Sequence, residues 1–107
     1  MSSEQIRFLS LLVMPSRLNP EQTAWYLGFT KDDIPLLIAA GLLKPLGRPS
    51  RSSVKFFALV ELEQLRRDVK WLSRAVSVVQ GYWRAKNLRR SGSGGGDAGL
   101  EEDSPAA

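Results

Sequence analysis

NPEQTAWYLGFTKDDIPLLIAAGLL, Asn19 to Leu43, is the stretch on which the fold turns. Asn19 is a strong N-cap, Pro20 suits the first helical position, and Gln22 stands where a capping box wants its return partner. Those signals predict a helix to about Leu27, broken by Gly28, with Phe29 turned inward. A second start follows at once, with Thr30 as cap and Asp33 as its box partner. It predicts a helix to Ala40, with Gly41 where a left-handed C-cap residue is wanted. Two short helices joined by a Gly-containing turn make a helix-turn-helix unit. Ala24 is small enough to let the second helix cross close to the first, and Ile34, Leu37 and Ile38 are expected on its inner face.

Working outward, SEQIRFLSLLV, Ser3 to Val13, has Ile6, Leu9 and Val13 on one helical face with Leu12 beside it, and Pro15 stops it. Residues 1–16 are thus expected as an N-terminal helical extension; because Met14 could itself begin a chain, a poorly ordered leader is the other reading. After the second helix, LLKPL and VKFF flank the turn region GRPSRSS. They predict a small β-hairpin, a wing, with Val54 and Phe56 on one side and Lys55 and Phe57 on the other. Residues 17–58 are then a winged unit, within a mainly α fold.

From residue 59 to 90 a single long helix is expected. Its apolar positions, Leu62, Leu65, Val69, Leu72, Val76, Val79 and Trp83, recur at alternating spacings of three and four, a heptad seam with Gly81 as its weak point. Valines at two of the a positions and Leu at most d positions favour a parallel two-stranded coiled coil, with Glu61 and Arg66 at pairing positions. The proximal part is expected to pack partly on the chain's own domain. Leu65, Val69, Leu72, Val76, Val79 and Trp83 are the candidate dimerisation residues of a homodimer. Residues 91–107, SGSGGGDAGLEEDSPAA, hold one large apolar residue, Leu100, and read as a disordered acidic Gly/Ser tail. It is expected to lie loosely on the basic block and weaken non-specific sticking.

The net charge of +4 conceals an asymmetry. Residues 1–43 sum to −1, residues 44–90 carry twelve Lys and Arg against three acids (+9), and residues 91–107 carry four acids and no base (−4). A basic block is the footprint of a polyanion binder or, on the plainer view, a solvated helix surface. There is no Cys and no His, which excludes disulfides, thiolate zinc sites and Cys or His catalysis. A reducing, cytoplasmic setting fits. The apolar run Phe8–Met14 is too short to span a bilayer. Asp32 and Asp33 are adjacent and point to different faces, Glu61 and Glu63 likewise point to different faces, and no phosphate loop or metal cluster is present. Neither an enzyme, a small-molecule substrate, a cofactor nor a metal is expected.

In Asn19–Leu43, the KPLG…VKFF wing and ELEQLRRDV at the start of the next helix, the chain resembles the small winged helix-turn-helix domains of the MerR and excisionase-like kind and, more narrowly, short bacterial helix-turn-helix proteins. The resemblance covers about residues 17–75. It implies double-stranded DNA as partner, with the second helix in the major groove, the wing on the backbone, and dimerisation through the helix after the wing.

The expected second helix fits that role unevenly. Its outward positions are Thr30, Lys31, Asp32, Pro35, Leu36 and Ala39, where the resemblance leads one to expect Arg, Thr, Gln or Asn. Asp32 and Asp33 favour a helix start by roughly 0.3–1 kcal/mol each yet repel phosphate, and Pro35 is expected to remove a helical hydrogen bond. The wing is richer. Lys44, Arg48, Arg51 and Lys55 fall among Ser50, Ser52 and Ser53 with no acid between Lys44 and Leu59, a composition suited to phosphates or simply to a solvated turn. The candidate DNA-binding residues are therefore Thr30, Lys31, Lys44, Arg48, Arg51 and Lys55, with Arg66, Arg67, Arg89 and Arg90 as auxiliaries. The expected function is DNA binding, as a transcriptional regulator or architectural factor. The rival is a protein-interaction adaptor that docks an apolar partner on Pro35, Leu36 and Ala39. Trp25, Tyr26, Trp71, Tyr82 and Trp83 are scattered over separate helices and suit packing better than base stacking.

Overall fold

The computed structural model describes residues 1–91, with side chains as far as Leu88. The chain is mainly helical with one two-stranded antiparallel sheet. In order it forms α1 (Ser3–Leu9), β1 (Arg17–Leu18), α2 (Pro20–Leu27), a 3-10 turn (Lys31–Asp33), α3 (Ile34–Ala39), β2 (Phe57–Ala58), α4 (Leu59–Arg66) and α5 (Val69–Ser91).

The central stretch folds as its caps dictate. The Gln22 amide donates to Asn19 Oδ1 at 2.8 Å and the Asn19 amide to Gln22 Oε1 at 3.1 Å, so two orphan donors of α2 are satisfied reciprocally. At its other end Gly28 takes φ 88°, and the Gly28 and Phe29 amides both donate to the Ala24 carbonyl. The second start differs in detail from the expected single helix. Thr30 donates its amide to Asp33 Oδ2 at 3.0 Å, but the first turn is 3-10 and α3 begins only at Ile34. Pro35 consequently sits in the first turn of α3, where an N–H has no helical partner to lose, and the cost expected of it does not arise.

Three expectations are corrected. The wing is not a two-stranded hairpin: Leu46 and Phe56 share one backbone bond, Leu46 N–H to Phe56 O at 2.8 Å, and no ladder extends from it. Pro45 and Pro49 lack donors, and Gly47 at φ 68° turns the chain away. The sheet instead pairs Arg17 with Ala58 and Leu18 with Phe57. That register puts Leu18 and Phe57 side by side at 0% and 1% exposure, burial that stabilises by about 1.5–3 kcal/mol per side chain.

The long helix of residues 59–90 is two helices. Asp68 Oδ1 accepts from the Trp71 amide at 3.1 Å, so Asp68 acts as an N-cap and starts α5 afresh. The heptad seam is thereby cut after Leu65. α5 faces the core with Trp71 and Ala75, backed by Val78 and Val79, a set that shares only Val79 with the expected seam. The leader is also shorter than expected. α1 stops at Leu9, Phe8 is its buried residue, and Ile6, Leu12 and Val13 are exposed. Phe8 packs on Trp25 with ring centroids 5.7 Å apart, which ties residues 1–16 to the same core as α2.

That core joins Leu18, Ala24, Ile34, Leu37, Leu43, Phe57 and Leu62 to Trp71 and Ala75. Among the described residues no helix is long and apolar enough to cross a membrane. Apart from Ser91, which belongs to α5, the expected acidic tail lies outside the described residues.

Candidate nucleic-acid interface

The loop between α3 and β2 is held at its base and free at its tip. Gly41, at φ 77°, reverses the chain after α3, and the Leu42 and Leu43 amides fold back onto the Leu37 carbonyl. Leu43 is buried. The Trp71 indole donates from Nε1 to the Leu42 carbonyl at 2.9 Å, fastening the loop's entry to α5. At the exit, Phe57 is locked into the sheet and the Arg17 guanidinium lies 3.9 Å over the Phe56 ring. Within the loop, Ser53 donates amide and hydroxyl to the Ser50 carbonyl.

Lys44, Arg48 and Arg51 are exposed on this framework, and Lys55 is half-buried. Lys55 directs its ammonium to the Arg51 and Ser53 carbonyl oxygens at 3.3 and 3.5 Å. Among the described residues none of these four cations pairs with a carboxylate. No described carboxylate neutralises their charge, which can therefore attract a polyanion. Of the auxiliaries, Arg66 lies 4.8 Å over the Tyr26 ring and Arg67 is exposed; the side chains of Arg89 and Arg90 lie outside the described residues.

Thr30 and Lys31 sit apart from the loop tip, at the start of the 3-10 turn, and both are exposed. Lys31 and Lys55 meet across a groove of about 630 Å³ floored by Pro35, Ile38 and Ala39 and walled by Val54. Lys44, Arg48 and Arg51 do not line it. Ile38, expected to face inward, is only half-buried and lines this groove, whereas Leu36, expected outward, is half-buried and does not. The outward face of α3 is thus largely apolar, with Asp32 and Glu21 on the same rim as Lys31.

The six candidate dimerisation residues divide. Val69, Leu72 and Val76 form an open stripe along α5, at 76%, 39% and 37% exposure. Leu65 and Val79 pack against the core. Trp83 donates from Nε1 to Asp33 Oδ1 at 3.2 Å. Asp33, buried at 6% exposure, therefore joins the start of α3 to α5 through both carboxylate oxygens. Sequence reading assigned Asp33 only its local cap, because a contact fifty residues away leaves no local pattern. Phe29 packs edge-on against Trp71, whereas Tyr82 is exposed and meets its neighbour Trp83 edge-on.

Comparison with protein families, with curated proteins and with solved structures finds no match for the chain.

Proposed function

We propose that this chain is a winged helix-turn-helix DNA-binding protein of the MerR/excisionase-like kind, acting in the cytoplasm as a transcriptional regulator. In it α2 and α3 form the helix-turn-helix and the Lys44–Lys55 loop serves as wing. The supporting observation is that Lys44, Arg48 and Arg51 project from a loop anchored at Leu42 and Phe57, without carboxylate partners among the described residues. A fixed base lowers the entropy lost when the cations meet phosphate, and each phosphate contact releases counterions. Affinity comes chiefly from this loop and only secondarily from Thr30 and Lys31, since the face of α3 offers few base-reading groups. Dimerisation through Val69, Leu72 and Val76 would place two loops on one duplex, about 34 Å or a multiple of it apart.

Fluorescence anisotropy with a random-sequence duplex at low salt tests it. The variant Arg48→Ala, Arg51→Ala, Lys55→Ala is expected to bind at least ~10-fold more weakly, with the fold retained because these side chains carry no core packing. Equal affinity of variant and wild type would remove the loop from the interface.

The adaptor reading draws on a specific feature, the apolar groove along α3. Apolar concavities edged by polar groups mark protein contacts more often than phosphate contacts. A chain that leaves duplex unbound at low salt would favour it.

A further inference from the structure

The groove over α3 is an apolar concavity whose occupant the fold does not supply from the described residues. Its floor is Pro35, Ile38 and Ala39, its wall Val54, and Lys31 and Lys55 stand on its edge. Val54, on the loop's return toward β2, is an apolar side chain 65% exposed to solvent. We propose that this groove receives the chain's own acidic segment AGLEED, Ala98 to Asp103. Leu100 seats between the α3 floor and Val54, and Glu101, Glu102 and Asp103 lie against Lys55 and Arg51.

Composition, charge and reach argue for this occupant. Leu100 is the only large apolar residue after Leu88, so the segment has one anchor for one groove. Its three carboxylates follow the anchor directly, and the four loop cations have no carboxylate partner among the described residues. Lys55 lines the groove, and its ammonium lies 3.3 Å from the backbone carbonyl of Arg51, which stands just outside it. The acids Glu21 and Asp32 on the rim direct the segment's carboxylates toward the loop side.

Reach is set by Trp83. Its indole is fastened to Asp33, the neighbour of the groove residues Asp32 and Ile34. From Trp83 the remainder of α5 to Ser91 runs only ~12 Å, at about 1.5 Å per residue. The stretch Gly92 to Leu100 spans up to ~30 Å when extended, at about 3.3 Å per residue. The spacer therefore covers the return with length to spare. A Gly/Ser connection this short sets an effective concentration in the mM range, so a contact with a dissociation constant near ~1 mM is already well populated. The groove adjoins the loop proposed to hold duplex, so the segment would shield that surface; this consequence rests on the DNA-binding reading, while the docking itself does not.

The absence of native Cys makes a single Ser104→Cys change a unique site for a nitroxide label in the full chain. Paramagnetic broadening is then read on backbone amides, without nucleic acid. Docking predicts that Ile38, Ala39, Val54 and Lys55 lose most of their intensity, and that adding Leu100→Ala restores it. Three results would overturn the proposal: no broadening at the groove, broadening of the loop that Leu100→Ala leaves unchanged, or broadening that arises only between an isotope-labelled copy and a separate spin-labelled one. Duplex affinity is not read, so failure of the DNA-binding reading would leave this result standing.

Discussion

Thr23 carries the one buried side-chain polar atom that lacks a hydrogen-bond partner among the described residues. It is fully buried in α2, and its hydroxyl has no hydrogen-bond partner. An unpaired buried hydroxyl costs roughly 1–3 kcal/mol relative to a satisfied one. Thr23→Val keeps the shape and removes the polar atom. The expected outcome is a rise in thermal midpoint, a gain of ~1 kcal/mol corresponding to about 4–8 °C in a domain of this size. A fall in midpoint would show that the hydroxyl is bonded to water. Asn19 was legible at this scale because a cap acts on amides two or three positions away. Asp33 was legible only in part. Its Thr30 contact is local, while its Trp83 contact depends on how α5 crosses α3.

Among the elements, α5 is the least well foretold by pattern. Leu72 and Val76 made a seam with Leu62 and Leu65 only while the helix was assumed continuous. Once Asp68 caps a new helix, Trp71 and Ala75 take the inner face and Leu72 and Val76 are left at the surface. Periodicity found the apolar residues but could not choose between two overlapping stripes. The exposed stripe carries the dimer prediction. Leu72→Asp with Val76→Asp is expected to shift the protein from dimer to monomer in sedimentation velocity while leaving the circular dichroism spectrum unchanged. A wild-type chain that is monomeric throughout the concentration series would exclude the stripe as an interface. The link between α5 and α3 is testable separately. Trp83→Phe removes the donor to a buried carboxylate, for an expected loss of about 1.5–3 kcal/mol of stability, measured by urea unfolding. A change within error would mean that the Asp33 carboxylate finds water instead.

For the molecule as a whole, the helical architecture and the order of its central elements could be read from Asn19, Gly28, Thr30 and Gly41, because caps and positive-φ glycines act locally. The sheet could not, since Leu18 and Phe57 are paired by tertiary packing across intervening helices. The candidate interface follows the same division. The cations of the loop are plain in the sequence, but their lack of a carboxylate partner among the described residues and the apolar groove beside them depend on the fold. The central claim is that those cations hold duplex DNA by neutralising phosphates. It is tested most directly by measuring random-duplex affinity across a salt series for the wild-type chain and for the Arg48→Ala, Arg51→Ala, Lys55→Ala variant. The account predicts a steep linear fall of log affinity with log salt, each phosphate contact contributing about 0.9 to the slope, and a slope shallower by roughly 2–3 in the variant. A wild-type slope no steeper than the variant's would contradict it.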